Sequence, residues 1–332
     1  DQRMNIVAAT SGDTGSAAIH GVRGKDRIRI FVMHPKGRTS EIQERQMTTV
    51  LDSNVFNLAV GGTFDDCQAM LKTLFNDLPF RDRYCLGAVN SINWARVLAQ
   101  VVYYVYATLQ VRKRENVERV RFSVPTGNFG DIFAGYVAAQ MGIPIGKLVL
   151  ATNENDILTR FFTTGEYGLG EVGPTLSPSM DIQVASNFER YLYYKLGENG
   201  AAVREQMAAF AGGDAIRIPL TDGVMDSLFA AGTGTTAMTL DAIKRCYETH
   251  GYLLDPHTAV GYSIAHDHLS DDEPMVCLAT AHPAKFGGAI TQAVGEDLAH
   301  HPQLDALANR ESRCDDLAAD AANLKDYIAK RV

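Results

Sequence analysis

The segment Val120-Arg-Phe-Ser-Val-Pro-Thr-Gly-Asn-Phe-Gly130 predicts a buried strand, a glycine-bearing loop and the start of a helix in immediate succession. Val and Phe dominate its first five residues, which favours a strand. The periodic pattern from Asp131 to Met141 favours a helix. The loop between them offers successive backbone N–H groups and the Thr126 hydroxyl at a helix start. This is the geometry that a dianionic phosphate requires.

Short apolar runs alternate with helix-length periodic segments on both sides of this stretch. Such runs begin at Ile6, Ile28 and Val55 in the first half of the chain, and others lie at 148–150 and 275–279. A β-α-β-α order calls for a parallel sheet covered by helices, so the expected fold class is α/β with parallel-rich sheets. Helical patterns dominate from the end of a loop at 163–182 to the strand at 275–279. The charged, alanine-rich end from Leu304 predicts an exposed terminal helix.

Two more loops follow predicted strands, at the sheet edge where ligands of open α/β proteins collect. Residues 10–15 carry glycines, hydroxyls and helix-start N–H groups that suit a carboxylate, although the same residues equally suit a simple helix cap. Residues 88–96 combine two amides, a hydroxyl and Arg96, whose planar fork suits a phosphate. A cap at Asn90 or Ser91 with a surface ion pair at Arg96 accounts slightly better for that segment alone.

Two loops suited to phosphate imply a phosphorylated cofactor and a phosphorylated substrate. The sequence contains no Gly-x-x-x-x-Gly-Lys-Ser/Thr, and its one Gly-x-Gly-x-x-Gly, residues 168–173, lies within the loop at 163–182 and not between a predicted strand and a helix. ATP and NAD therefore fit less well than a smaller phosphorylated ligand.

Composition and charge exclude several classes of protein. The 332 residues, 46% hydrophobic and 21% charged, are ordinary for a globular chain that is long enough for two sub-domains. A net charge of -8 with scattered Lys and Arg argues against a nucleic-acid partner. The longest apolar stretch, 98–109, is too short for a membrane span. Five cysteines without a Cys-x-x-Cys pair indicate a reducing, cytoplasmic compartment, and His266-Asp-His268 predicts a solvated loop, so no metal site is expected.

These loops, together with further motifs in the same order, resemble threonine synthase of the fungal and enterobacterial type, a family of fold-type-II enzymes that depend on pyridoxal phosphate (PLP). The resemblance covers about 280 residues and is far more specific than any one loop. The motifs that carry it are 11–15, 34–38, 43–47, 62–67, 90–96, 125–130, 178–182, 186–190, 255–259 and 280–286.

The resemblance implies a fold, a reaction and a cofactor. The fold would be that of a tryptophan synthase β-like enzyme with a smaller α/β sub-domain at 1–87 and a larger PLP-binding sub-domain with C-terminal helices at 88–332. The cofactor would be PLP, and the reaction would convert O-phospho-L-homoserine and water to L-threonine and phosphate. The enzyme would be a monomer or a weak homodimer without nucleic-acid or membrane partners.

The resemblance also implies the residues of the site. It assigns the PLP phosphate to Thr126, Gly127, Asn128, Phe129 and Gly130, and the pyridine nitrogen to Thr280. It assigns the amino-acid end of the substrate to Ser11, Gly12, Asp13 and Thr14. It assigns the substrate phosphate to Ser91, Asn93 and Arg96, with Lys36 or Arg38 as further candidates. Residues 163–182 are expected to form a lid, and His257 and His282 either line the pocket or make hydrogen bonds in the core.

The family's Schiff-base lysine is expected upstream of Asp1, so no catalytic residue is assigned within this chain and the chain alone is expected to be inactive. Most of the ten lysines fit solvated surface positions, and Lys285 is not assigned because the family places its lysine elsewhere. The start at Asp1 instead of Met favours a fragment of a longer enzyme. The alternatives are another fold-type-II lyase, such as a serine or threonine dehydratase, and a lysine-free relative that only binds ligand.

Overall fold

The computed structural model describes residues 3–10 and 12–332, which form parallel sheets flanked by helices. In chain order, the strands are β1 (Met4–Ala9), β2 (Ile28–Pro35), β3 (Val55–Gly61), β4 (Leu86–Ala88), β5 (Val120–Pro125), β6 (Ile145–Thr152), β7 (Glu166–Tyr167), β8 (Ile216–Arg217), β9 (Phe229–Thr233), β10 (Met275–Cys277) and β11 (Asp315–Ala318). The helices are α1 (Asp13–Val22), α2 (Glu41–Thr48), α3 (Phe64–Asn76), α4 (Leu78–Arg83), α5 (Trp94–Glu115), α6 (Gly130–Gln140), α7 (Ile157–Thr164), α8 (Phe188–Lys195), α9 (Gly200–Ala211), α10 (Thr236–His250), α11 (Pro256–Ala265), α12 (Gly287–Val294), α13 (Pro302–Asp305) and α14 (Ala321–Ala329). The α/β class predicted from the sequence is confirmed.

The chain divides into two compact units, which we call unit 1 (residues 1–90 and 300–332) and unit 2 (residues 91–299). Unit 1 contains a five-stranded parallel sheet in the order β11-β3-β2-β1-β4. Unit 2 contains a four-stranded parallel sheet in the order β10-β5-β6-β9. A two-stranded antiparallel ribbon, β7 with β8, completes unit 2.

The central strands are apolar on both faces because helices cover both faces of each sheet. Residues 30–33 of β2 and 148–151 of β6 are fully buried. In β5, Val120, Phe122 and Val124 are fully buried together with Ser123, which donates to the Gly261 carbonyl at 2.6 Å. Since all strands of the unit 2 sheet run parallel, the loops that follow β5, β6, β9 and β10 begin at one edge of it.

The C-terminal region differs from the exposed helix expected after Leu304. Residues 315–318 pair in parallel with β3, and Leu324 and Ile328 of α14 are fully buried in the core of unit 1. Residues 300–332 thus belong with unit 1. The sub-domain boundaries predicted from the sequence had placed them with residues 88–299. The acidic residues of β11 obscured the strand, because charged residues on an edge strand weaken the apolar alternation.

Strand β9 was also missed, since helical patterns were expected up to residue 275. Its sequence, Phe229-Ala-Ala-Gly-Thr233, has a low intrinsic strand propensity. Pairing with β6 and packing of Phe229 in the core determine its conformation instead.

No helix within residues 3–10 and 12–332 combines the length and the apolar character that a membrane crossing requires.

Candidate active site

The loop between β5 and α6 presents a run of backbone N–H donors at the start of a helix. The N–H groups from Gly127 to Ile132 find no acceptor among the described residues, and the first donor of the helix to find one is Phe133, which bonds to the Phe129 carbonyl. Thr126 is buried and closes the end of the strand, since its N–H donates to Ala151 and its hydroxyl donates to Val124. An anion at this helix start would satisfy the remaining donors.

Phe129 fixes the conformation of this loop. It has φ 63° and ψ 4°, the left-handed region that a bulky residue seldom adopts. Its ring is buried and packs against Phe162 and Phe229, whose ring centroids lie 5.9 and 6.3 Å away. Left-handed geometry costs about 1–2 kcal/mol, whereas burying a phenylalanine contributes about 1.5–3 kcal/mol, so the ring can hold the strained backbone in place.

Gly127 is required by a close approach of the chain. A Cβ atom at this position would lie 2.8 Å from the Ser179 carbonyl oxygen and 3.4 Å from the Met180 Cα atom. Because both contacts are with backbone, a side chain here could not be accommodated by a rotamer change.

Ser186 and Asn187, the two residues directly before α8, join the loop to the segment that leads into α5. The buried Asn187 donates to the Asn128 carbonyl from its backbone N–H and its side chain, both at 3.1 Å, and to the Ser91 carbonyl at 3.2 Å. Ser186 donates to the Asn128 side-chain oxygen at 3.1 Å and lies 2.9 Å from the Ser91 hydroxyl. The structure therefore brings two of the three loops predicted from the sequence together.

The start of α5 is not the simple helix cap that was an alternative for this segment. The N-cap residue is Asn93, whose side chain makes no capping hydrogen bond, and the Ser91 hydroxyl contacts Ser186. Arg96 lies in the first turn of α5 and is partly buried, which lowers its pKa. It remains a cation at neutral pH, because arginine titrates far above this range.

Thr280 follows β10 and is held through its backbone. Its N–H donates to the Thr258 hydroxyl at 2.9 Å, and Thr258 in turn donates to the Asp255 carboxylate. The Thr280 residue itself is exposed. Its side chain is thus presented at the same sheet edge as the loop after β5.

The first predicted loop lies in unit 1, and Ser11 falls outside the described residues. Gly12 is the N-cap of α1 with φ 150° and no side-chain cap. The Thr10 hydroxyl accepts from the N–H groups of Gly12 and Gly15 at 2.9 and 3.0 Å. A Cβ atom on Gly12 would lie 2.6 Å from the Gln43 amide carbon. Asp13 and Thr14 form the first turn of α1.

Lys36 forms an ion pair within unit 1. Its ammonium lies 2.7 Å from the Asp316 carboxylate of β11, which raises the pKa of Lys36. This pair could not be expected from the sequence, because β11 was not predicted.

The segment 163–182 is anchored over part of its length. One oxygen of the Asp181 carboxylate accepts from Asn153 at 2.7 Å, Asn155 at 3.0 Å and the Thr175 hydroxyl at 2.7 Å. The other accepts from the Thr175 N–H at 2.9 Å. The anchoring extends into the exposed residues 169–174, since Asn155 bonds to both backbone groups of Gly173 at 2.9 Å and Gln183 accepts from the Gly170 N–H at 3.1 Å, and a lid in this segment stays a prediction.

Several residues of the site were not assigned from the sequence: Ser179, Ser186, Asn187, Asp255 and Thr258. Each lies within a motif that carried the resemblance, but its partner is distant along the chain, as for Asn187 with Ser91 and Asn128. The signal in the sequence was their place within these motifs, which did not reveal the partners.

Comparison with known proteins identifies the family. The family model "Pyridoxal-phosphate dependent enzyme" matches residues 1–218, and the model "Threonine synthase, C-terminal" matches residues 258–328. Threonine synthase from Pseudomonas aeruginosa is 47% identical over 99% of this chain and 70% of the relative. The protein of that name from Schizosaccharomyces pombe is 44% identical over 94% of this chain and 67% of the relative.

Solved structures agree with the sequence matches. PLP-bound threonine synthase from Brucella melitensis superposes with a TM-score of 0.91 at 45% identity, covering 99% of this chain and 71% of the other. Yeast threonine synthase gives a TM-score of 0.88 at 40% identity, with 99% and 70% covered.

The parallel sheets, the helix-start donors and the matching family model define a PLP-dependent enzyme. Within that class, the identities over nearly the whole chain show that it belongs to the threonine synthase family. The resemblance found in the motifs, its α/β fold and its cofactor are confirmed, and a dehydratase is not favoured.

We expect Gly127→Ala to weaken PLP binding by about tenfold or more, which corresponds to about 1.4 kcal/mol. The added methyl group would displace either the loop itself or the short turn at residues 178–180, which we call the Ser179 turn. Fluorescence titration with PLP measures the effect. Gly288→Ala is the matched control, since a Cβ atom there meets nothing within 4 Å. Equal affinities for both variants would contradict the expectation.

Asp131 is the acidic residue in the first turn of α6. Burial, partly offset by the Tyr104 hydroxyl, raises the pKa of Asp131 from 3.8 to about 6, and its Oδ1 atom accepts no hydrogen bond within the described residues. The folded state therefore favours the protonated acid. The resulting stabilisation is complete below pH 3.8 and is lost as the pH rises through about 6.

Asp131→Asn cannot ionise, so its stability relative to the wild type should increase between pH 4 and pH 7.5 by about 1–3 kcal/mol. Urea unfolding at both pH values measures the difference. Asp214→Asn, at an exposed position, should change stability little at either pH. A constant difference between Asp131→Asn and wild type across this range would refute the prediction.

Proposed function

We propose that the loop 126–130 and the first turn of α6 hold the phosphate of PLP. The observation that carries the proposal is the run of backbone donors from Gly127 to Ile132 that have no acceptor among the described residues. A dianionic phosphate supplies such acceptors, and the positive end of the α6 dipole favours it. Phe129 maintains the loop in the donor conformation, and Gly127 leaves room for the turn that covers it.

We propose that the Thr280 hydroxyl forms a hydrogen bond with the pyridine nitrogen of PLP. Its position directly after β10 and the fixed backbone support this role. A neutral hydroxyl partner leaves the ring less electron-withdrawing than a carboxylate partner would. When bound, PLP supplies the electron sink for the carbon skeleton of the substrate.

The enzyme acts on a small molecule, and we propose that this substrate is O-phospho-L-homoserine, converted with water to L-threonine and phosphate. Arg96, Ser91 and Asn93 would bind the substrate phosphate at the start of α5. The partly buried Arg96 guanidinium has lost part of its hydration, which strengthens its attraction to a phosphate dianion. Arg96 would also stabilise the charge on the phosphate as it leaves.

In unit 1, Ser11, Gly12, Asp13 and Thr14 are proposed to hold the amino-acid end of the substrate. The Thr10 hydroxyl supports this role because it fixes the turn at Gly12 and Gly15. Hydroxyls and helix-start N–H groups suit a carboxylate.

We further propose a cytoplasmic enzyme that is a monomer or a weak homodimer. The five cysteines are free thiols, as expected for a reducing compartment.

We propose that none of the ten lysines in this chain is the Schiff-base lysine. Oxygen atoms of other residues already bind five of their ammonium groups, those of Lys36, Lys147, Lys195, Lys244 and Lys325. Borohydride reduction of the PLP-loaded protein, expressed from its complete gene, followed by peptide mapping tests the proposal. A pyridoxyl group on Lys285 or on any other of the ten would refute it.

For the protein expressed from its complete gene, Arg96→Ala should lower kcat/KM for phosphate release from O-phospho-L-homoserine by on the order of 100-fold, the cost of losing a charged partner. PLP affinity should stay within about twofold of wild type, since a different set of residues binds PLP. Arg114→Ala, an exposed position near the end of the same helix, is the control. Retained activity in Arg96→Ala would exclude its role, and equal loss of PLP would exclude the separation of the two phosphate sites.

A further inference from the structure

A buried polar network lies behind the proposed PLP site, at the start of α11. Asp255, His257 and Thr258 are 1%, 1% and 4% exposed. One Asp255 oxygen accepts from the N–H and from the Nδ1 atom of His257, both at 2.9 Å. The other accepts from the Thr258 hydroxyl and, at 3.3 Å, from the Ala281 N–H. Burial alone would raise the pKa of Asp255, but these hydrogen bonds hold it below its ordinary value.

The contacts of His257 define its tautomer. The Ser179 backbone N–H donates to Nε2 at 3.2 Å, and a backbone N–H can only donate, so Nε2 carries no proton. The proton is therefore on Nδ1, where it is donated to the Asp255 carboxylate. The ring packs edge to face on Phe286, with centroids 4.9 Å apart. Both nitrogen atoms of a fully buried imidazole are thus satisfied by partners on different segments.

The two ends of the network reach the two parts of the proposed PLP site. On one side, His257 holds the turn at Ser179, whose carbonyl oxygen lies against Gly127. On the other side, the Thr258 hydroxyl donates its only proton to Asp255 and accepts from the Thr280 N–H. A chain of hydrogen bonds therefore runs from the Ser179 N–H to the Thr280 N–H, and the Ser179 carbonyl links it to the loop 126–130 by its close approach to Gly127.

We propose that His257 is a positioning residue for the cofactor: as a neutral Nδ1–H imidazole it joins Asp255 to the Ser179 N–H and keeps the Ser179 turn against Gly127. Without this contact, the turn can move away from the loop, and the donors of Gly127 and Asn128 lose their fixed direction. The inference rests on the proposed function, which assigns this loop to the PLP phosphate.

Two substitutions test the contributions of the two ring nitrogen atoms of His257 separately. In His257→Gln, the amide oxygen reaches about as far as Nε2 and can accept from Ser179. In His257→Asn, the amide nitrogen reaches about as far as Nδ1 and can donate to Asp255, but nothing reaches Ser179. A role in packing alone would make the smaller Asn and the larger Gln differ in stability without altering selectivity for a phosphate group.

The experiment is a titration of wild type and both variants with 4′-deoxypyridoxine 5′-phosphate, which cannot form a Schiff base, and with 4′-deoxypyridoxine, which lacks the phosphate. We expect His257→Asn to reduce the affinity for the phosphorylated compound by tenfold or more and His257→Gln by less than about threefold. The affinity for the unphosphorylated compound should not change. Thermal unfolding of each protein records the loss of stability separately.

Equal loss in both variants, or equal weakening of both compounds, would overturn the role of His257. A wild-type protein that binds both compounds equally would overturn the phosphate assignment itself, and with it this inference. If His257→Asn does not fold, the 15N spectrum of histidine-labelled wild type decides. A protonated Nδ1 and an unprotonated Nε2 on His257 at pH 7.5 support the proposal, and the opposite tautomer refutes it.

Discussion

The rest of the site depends on one constrained residue, Phe129, which adopts a left-handed conformation between β5 and α6. A bulky side chain disfavours this region, and the burial of the ring against Phe162, Phe188, Tyr191 and Phe229 offsets that cost. The consequence is that the chain turns directly before α6, where the N–H groups from Gly127 to Ile132 find no acceptor among the described residues. Hydrophobic packing thus produces the alignment of a polar site.

A second layer of polar side chains fixes what surrounds this loop. Asn187 bonds to the carbonyl groups of Asn128 and Ser91, and Ser186 links the side chains of the same two residues. Ser91 lies just before α5, and Arg96 is in the first turn of that helix. The hydrogen bonds to Ser91 therefore connect the start of α5 with the loop before α6. Buried amides with every donor used are rigid, since each broken hydrogen bond would leave an unpaired polar group away from water. The same few residues therefore fix the position of the start of α5 relative to the loop 126–130.

Sequence patterns predicted the parts of this architecture that are local. The strand, loop and helix at 120–141 follow from hydrophobic periodicity and glycine placement, and the loops after β1, β4 and β5 were located by the same means. The pattern did not reveal β9, whose Ala-Ala-Gly centre has little strand propensity, or β11, whose acidic residues suit an edge. Both are specified by pairing with distant strands. Hydrogen bonds in the core were one of the two alternatives predicted for His257, but its partner Ser179 could not be predicted because it lies 78 residues away.

Strand β11 has a consequence for the order in which the chain acquires structure during synthesis. The sheet of unit 1 uses residues from both ends of the sequence, whereas residues 91–299 form unit 2 without interruption. Until residues 315–318 leave the ribosome, β3 is an unprotected edge with open hydrogen-bonding groups. The nascent chain therefore passes through a stage in which unit 2 can be complete while the sheet of unit 1 is still able to pair with a strand from another molecule.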